Sequence, residues 1–361
     1  MTPDLSGIFS SQPGWLSRPD LEDVAIASRV SLARNLSGFV FADRAGDFSL
    51  KHVEELLRAS LDAIPDSPFC IWSRADDIPL LLRGALSERL IGGPELFAGK
   101  RRWSLAMSGD ERFSAFINAS DHLLVSVTSP GFQTEEVWHE IGQLDDSLGT
   151  SVEFAFDEEF GFLTSSAREV GTGLKACAIL HLPALSVTNE IERALRATKE
   201  IGYTLDGAFG AERAVGHIYR IINDRTLGMS EADIITGIGK AVAALESYER
   251  KARESLSHPE RRTRAEDRIM RAVGSLERAR LLPLVECMDS LSLLRLGATL
   301  ELLPKKAGAL LFSHIFGIQN AHIQLSAGRE MDEAERDMIR AEAMKKALSK
   351  ALSTRTGRKE A

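Results

Sequence analysis

The sequence predicts an α+β fold, an antiparallel sheet flanked by helices and followed by an all-α C-terminal region. Three observations carry this. Short β-prone runs at 102–107, 113–118 and 123–127 are separated only by tight polar connections, the spacing of an antiparallel meander. Helical periodicity is inserted between strands at irregular intervals, not in strict alternation, which argues against a doubly wound sheet. After Ser230 the apolar spacing is helical almost to the end.

Taken in order, residues 1–20 are rich in Ser, Pro and Gly and read as an arm. A β-prone run at 24–30 leads into a polar segment read as a loop. Leu50, Val53, Leu56, Leu57 and Leu61 predict an amphipathic helix over 48–64. A strand at 67–73 and a helix at 77–91 precede the meander. Val137, Ile141 and Leu144 place a helix at 134–148. Strands are expected at 152–156, 160–164, 174–182, 203–209 and 217–222, with a helix at 189–201. Two long amphipathic helices, 230–254 and 260–281, are separated by LSHPE, where Pro259 suits a first helical turn. Shorter helices at 288–303, 306–317 and 331–352 lead to a basic tail. The expected division is an arm at 1–21, a unit at 22–255 and a helical unit at 256–361.

Composition bounds the function. The length of 361 residues suggests about two domains. Lys and Arg number 44 against 52 Asp and Glu, a net charge of −8 that disfavours a broad nucleic-acid surface but leaves room for a local basic pocket. The N-terminus has neither a basic start nor an apolar core segment, so no signal peptide is expected. No stretch approaches the ~18 apolar residues of a membrane helix. Cys70, Cys177 and Cys287 are scattered and form no CxxC pair, so neither a disulfide framework nor a zinc site is indicated. A cytoplasmic globular protein is expected.

Residue chemistry alone is sparse. Gly171-Thr172-Gly173 ahead of an apolar strand offers backbone amides to a phosphate, but lacks the third glycine of a dinucleotide fingerprint and the Lys-Ser/Thr of a P-loop. Gly207, Gly210 and Gly216 suit a flexible hairpin or a mobile loop over a site. His122 and His181 adjoin apolar runs and read as core histidines, and Asp157-Glu158-Glu159 as a solvated turn.

The order of several segments resembles a known family. Residues 27–35, ASRVSLARN, are similar to the SSRIRLARN opening of bacterial protein arginine kinases, relatives of creatine kinase within the ATP:guanido phosphotransferases. NASDH at 118–122 resembles their NEEDH, and FAFDEEFGFLT at 154–164 their YAFDEKLGYLT. GTGLKACAILHLPAL at 171–185 resembles GTGMRASVMLHLPAL, and NDRTLGMSE at 223–231 resembles NQITLGQSE. The resemblance implies the guanido-kinase fold, ATP and Mg²⁺ as reactants, and γ-phosphoryl transfer to an arginine nitrogen. It further implies a homodimer, a small zinc-binding activator protein, the Clp chaperone and protease system, and arginine-phosphorylated proteins as partners.

Carried over residue by residue, the nucleotide positions are Ala27, Ser28, Arg29, Val30, Ser31, Arg89, Lys175, Ala176, Cys177, Asp206, Gly207 and Gly210. Several depart from the pattern. Ser31, Leu124, Lys175 and Asp206 stand where the family has arginines, so the set of five falls by four charges. Such chemistry needs arginines to neutralise a polyphosphate and a carboxylate to deprotonate a guanidinium. Both glutamates of NEEDH are replaced, by Ala119 and Ser120, leaving Asp121 as the one catalytic candidate there. Glu169 takes a family Asn position near the substrate side and Ser166 a cysteine position. Arg336, Asp337, Arg340 and Ala341 fit without mismatch the RDxxRA motif that binds phosphoarginine in the family. The expectation is a kinase fold with an impaired site that retains phosphoarginine recognition; the alternative is an active kinase with a rearranged site.

Overall fold

The computed structural model describes residues 5–9, 11–16, 20, 23–93, 102–209 and 214–353. After a short helix α1 (Leu5–Ile8), strand β1 (Ala25–Arg34) leads to helix α2 (Asp47–Asp62), strand β2 (Ile71–Arg74) and helix α3 (Leu80–Glu88). The meander follows as β3 (Ser104–Met107), β4 (Phe113–Ile117) and β5 (Leu123–Pro130), then helix α4 (Thr134–Gly149). A two-residue hairpin, β6 (Phe156–Asp157) and β7 (Gly161–Phe162), precedes β8 (Leu174–His181), helices α5 (Pro183–Val187) and α6 (Ile191–Glu200), β9 (Tyr203–Gly207) and β10 (Ile218–Asn223). The main sheet runs β2-β3-β4-β5-β1-β8-β10-β9, with every neighbouring pair antiparallel.

Period-two alternation divides the two faces of the central strands. Val30 and Leu32, Val125 and Val127, Ala176 and Ala178, and Ile221 point into the main core. They meet Val137, Ile141 and Leu144 of α4, and Ile234, Ile238 and Val242 of α7 (Glu231–Leu256). The alternate residues of the same strands, Arg29, Ser31, Leu124, Ser126, Lys175, Cys177, Arg220 and Ile222, line a cleft on the opposite face. One alternation therefore builds both the core and the site.

The C-terminal region is all helical: α8 (Pro259–Arg278), α9 (Leu284–Thr299), α10 (Lys305–Gly308), α11 (Leu310–His314), α12 (Asn320–Ala327) and α13 (Glu333–Leu352). Ser230 and Asp332 start α7 and α13 through capping boxes, each satisfying orphan backbone donors reciprocally. A second core joins Leu276, Leu291, Phe312 and Met344 to Trp15 of the arm and to Ile179 and Ile218 of the sheet. Buried Glu249 on α7 pairs with Arg253 and accepts the backbone N–H groups of Ala184 and Leu185, both at 3.0 Å, tying α7 to the start of α5. Among the described residues no helix is long and apolar enough to cross a membrane.

Four expectations are corrected. Strand β1 continues to Arg34 where a polar loop was expected, because its polar residues have ladder partners on both sides and Arg34 is buried in a bond to Asp145 (2.7 Å). The strands expected at 152–156 and 160–164 shrink to the β6–β7 hairpin, whose Phe162 lies 3.7 Å from the Arg34 guanidinium. The single helix expected at 306–317 divides into α10 and α11, and α12 was not anticipated.

Gly173 shows how closely this region is built. It sits at φ +65°, and a Cβ there would meet the Ala33 carbonyl oxygen at 2.6 Å. Gly173→Ala should lower stability by at least ~1–2 kcal/mol from backbone strain alone, with the backbone clash adding to it. Chemical denaturation checks this; an unchanged midpoint would mean that the 171–173 turn adapts.

Candidate functional site

The cleft has a volume of about 610 Å³, within the range of small-molecule sites. Its floor is set by strand register. Ser31 on β1 faces Lys175 on β8 and Ser126 on β5, and its hydroxyl is 2.8 Å from that of Ser126. Arg29, two residues earlier on the same face, is opposite Cys177 and Thr128. Its Nε donates to Thr128 Oγ1 (2.8 Å), and one terminal nitrogen donates to the Leu90 carbonyl. Burial pushes the Arg29 guanidinium below its ordinary value, with Arg220 adding to the effect and Cys177 opposing it. Burial likewise pushes the Cys177 thiol up, against the pull of Arg29 and Arg220, so it stays protonated.

Arg220 is the cation that the sequence analysis missed. It projects from β10 into the cleft, opposite Asp206 on β9, and Nη2 is 3.0 Å from that carboxylate. The alternation of IYRIIN, with Tyr219 and Ile221 in the core, was the available signal. Lys175 is bonded to Glu169, the one carboxylate on the cleft wall among the described residues. Trp103, Phe116 and Leu124, with Ile91 and Ile222, form the apolar part of the wall.

Other expected residues lie elsewhere. Arg89 is not a cleft residue: it is 1% exposed and its guanidinium bonds to Glu111, His322 Nε2 and the carbonyls of Phe9 and Ser11. The expectation from its family position failed because the α3 end turns its side chain toward the arm and α12. Asp121 is fully buried and is corrected as a base. Its Oδ1 accepts from Asn35 Nδ2 (2.7 Å) and the Ser165 amide (2.6 Å), and its Oδ2 from Ser120 Oγ (3.1 Å). It anchors the 163–165 loop. Ala119 and Ser120 line the cleft, with no carboxylate to contribute.

Ala27, Val30 and Ala176 are core residues. Ser28 Oγ donates to the Gly131 carbonyl (2.6 Å) and accepts from Gln133 N (2.7 Å), so it fixes the β5–α4 turn. Gly207 ends β9 opposite Tyr219, and Gly210 lies outside the described residues. His122 is the core histidine expected: Nδ1 accepts from Leu36 N, Nε2 meets the Val40 carbonyl, and burial holds it below its ordinary value.

In the RDxxRA segment, Arg340 is 1% exposed and donates to the carbonyls of Ile318 and Leu282, to Asp337 and to Asn320 Oδ1. Ala341 is in the second core. Arg336 donates to the Met331 carbonyl, while its buried Nε has no partner among the described residues.

Chemically, the cleft can hold an anion of limited charge beside an apolar group. Its described residues do not fit a magnesium-bound polyphosphate. Leucine and a hydrogen-bonded serine occupy two of the clamp positions, and two of the three cations among the described residues are already matched by carboxylates.

Comparison with known proteins accounts for the architecture. Residues 81–252 match the catalytic domain described as ATP:guanido phosphotransferase, C-terminal catalytic domain, and residues 262–359 match the protein-arginine kinase McsB C-terminal domain. The protein-arginine kinases of Symbiobacterium thermophilum and Moorella thermoacetica are each 34% identical, over 91% of this chain and 94% of theirs. Among solved structures, lombricine kinase aligns with a TM-score of 0.56 at 18% identity, over 69% of this chain and 71% of its own. The duplicated taurocyamine kinase of Schistosoma mansoni aligns at 0.55 and 21%, over 66% of this chain, which spans 36% of that one. These two likenesses establish the guanido-kinase fold. With relatives of this identity matched along nearly its whole length, the chain belongs to the protein-arginine kinase family.

Proposed function

We propose that this member of the family has lost efficient phosphoryl transfer and acts as a phosphoarginine-binding, regulatory protein of the Clp proteolysis system. The observation that carries the proposal is the cleft wall. Ser31 and Leu124 replace charge with a hydroxyl pair and an alkyl group, and Glu169, the one carboxylate there, is held by Lys175. Arginine phosphorylation requires a base able to take a proton from a guanidinium, and a clamp on the transferred group. One well-placed arginine is worth ~10³–10⁵ in such a rate, so several losses are prohibitive even when they do not add.

In this reading the units 22–255 and 256–361 have separate roles, the second supporting a homodimer and phosphoarginine recognition. Arg336 would pair with the phosphoryl group and Asp337 with the guanidinium, while Arg340 positions the helix. A zinc-binding activator and Clp components are the proposed partners, and the cytoplasm is the proposed location. Arg220 favours the rival reading, an active kinase with a rearranged clamp, but its bond to Asp206 spends its charge.

Calorimetric titration with MgATP tests the proposal: no heat is expected up to millimolar nucleotide. Micromolar binding would mean that a working clamp has been rebuilt, and the proposal would fall.

A further inference from the structure

The charge balance of the cleft points to a different occupant, an inference that rests on the proposed loss of polyphosphate binding. Of its three cations among the described residues, Lys175 is matched by Glu169 and Arg220 by Asp206. Arg29 alone has no carboxylate partner among the described residues. Its hydrogen-bond acceptors, Thr128 Oγ1 and the Leu90 carbonyl, are neutral. A half-buried guanidinium without a counterion carries a desolvation cost that one incoming anion relieves. A second or third negative charge meets no unmatched cation among the described residues and is repelled by Glu169.

The other side of the cleft asks for different chemistry. Leu124 is half-buried between Trp103 and Phe116 on one side and the serines of β1 and β5 on the other, and Ile91 closes the wall. Where the resemblance implies an arginine, the chain presents an apolar surface continuous with a small hydrophobic cluster that includes Phe116, Trp103 and Ile91. Apolar walls with a few placed polar groups are the usual construction of a small-molecule pocket.

We propose that the cleft binds a small ligand carrying one anionic head, seated on Arg29, and an apolar, preferably aromatic, body packed against Leu124, the half-buried side chain in front of Phe116 and Trp103. The head is a carboxylate; a phosphate monoester, largely dianionic at neutral pH, carries the second charge that the cleft does not match. Ser31 and Ser126 supply hydroxyls beside it.

The test titrates the full chain with benzoate, phenyl phosphate, benzyl alcohol, inorganic phosphate and MgATP, read by calorimetry and tryptophan fluorescence. Benzoate should bind ten or more times tighter than phenyl phosphate, benzyl alcohol, inorganic phosphate or MgATP. Tighter binding of phenyl phosphate than of benzoate would overturn the single-charge reading. Arg29→Gln should lower the benzoate affinity at least tenfold. Because Arg29 also bonds two strands and the Leu90 turn, Leu124→Asp provides a second variant, placing negative charge on the wall while leaving Arg29 intact. It should weaken the same ligand at least tenfold, and Trp103→Phe should remove the fluorescence change.

Equal affinity for benzyl alcohol, indifference to both Arg29→Gln and Leu124→Asp, or binding of none of the probes would overturn the inference. Tight MgATP binding would overturn the proposed function together with it. Failure of benzoate without MgATP binding would remove this inference alone.

Discussion

Replacing Arg89 with alanine should cost about 3–5 kcal/mol of folding stability, the range for removing one partner of a buried ion pair. The side chain is 1% exposed and sits between the rings of Phe9 and Phe316, each 5.2 Å from its guanidinium carbon. It joins the end of α3 to three other parts of the molecule: Glu111 after β3, His322 on α12, and the arm carbonyls of Phe9 and Ser11. Its neighbour Glu88 accepts from the amides of Ala321 (2.7 Å) and His322 (3.2 Å), and from His322 Nδ1 (2.7 Å). The loss would therefore loosen the join between the sheet unit and the C-terminal helices, and urea denaturation would show it as a lowered midpoint.

The pH dependence of that hub has a definite sign. Burial pushes the Glu111 carboxyl up to about 7, outweighing the attraction of Arg89, and Glu111 Oε2 has no hydrogen-bond partner among the described residues. A folded-state value raised above 4.5 means that the contribution is fully present below pH 4.5. It is lost as pH rises through 7, on the order of 3 kcal/mol in total. Glu111→Gln cannot titrate, so the stability difference between wild type and variant should shift against wild type between pH 5 and pH 8. A flat difference over that window would mean that the Arg89 pairing keeps the carboxylate ionised throughout.

The second large effect concerns repair of the cleft. Ser31→Arg, Ser120→Glu, Leu124→Arg and Lys175→Arg restore the charges that the family resemblance implies. Asp206→Arg cannot simply be added. Asp206 faces Arg220 across β9 and β10, and like charges directly opposite each other in a sheet are destabilising. The repaired set therefore needs Arg220→Gln as well. With all six substitutions the protein should bind MgATP at least a hundredfold more tightly than the unmodified chain. The same set without Arg220→Gln should be less stable. If the repaired protein binds no nucleotide, the cleft differs from a working one in shape and not only in charge.

The sequence disclosed the sheet and its helices because alternating Val, Ile and Ala in β1, β5 and β8 announce one buried face. It disclosed less of the site, for physical reasons. Cross-strand partners are fixed by register, so the Arg220–Asp206 and Lys175–Glu169 pairs belong to tertiary structure, not to local pattern. Arg89 was misplaced because position in an alignment fixes a Cα, whereas the direction of the side chain depends on α12, an element without a clear periodic signature. β1 ran longer than its polar residues suggested because those residues line the cleft floor, where a strand can carry Arg29 and Ser31 without facing the core. Asp121 read as the one catalytic candidate of NASDH, and only the fold brings Asn35 and Ser165 to its oxygens.

The most direct test of the central claim is arginine phosphorylation itself. The purified full chain is incubated with γ-labelled MgATP and an unfolded protein substrate, and acid-labile label on nitrogen is measured over hours. The account predicts no label above a no-enzyme control. Label that accumulates with time and with protein concentration, and is lost in Arg29→Gln, would contradict it: the cleft would then be a rearranged but working kinase site.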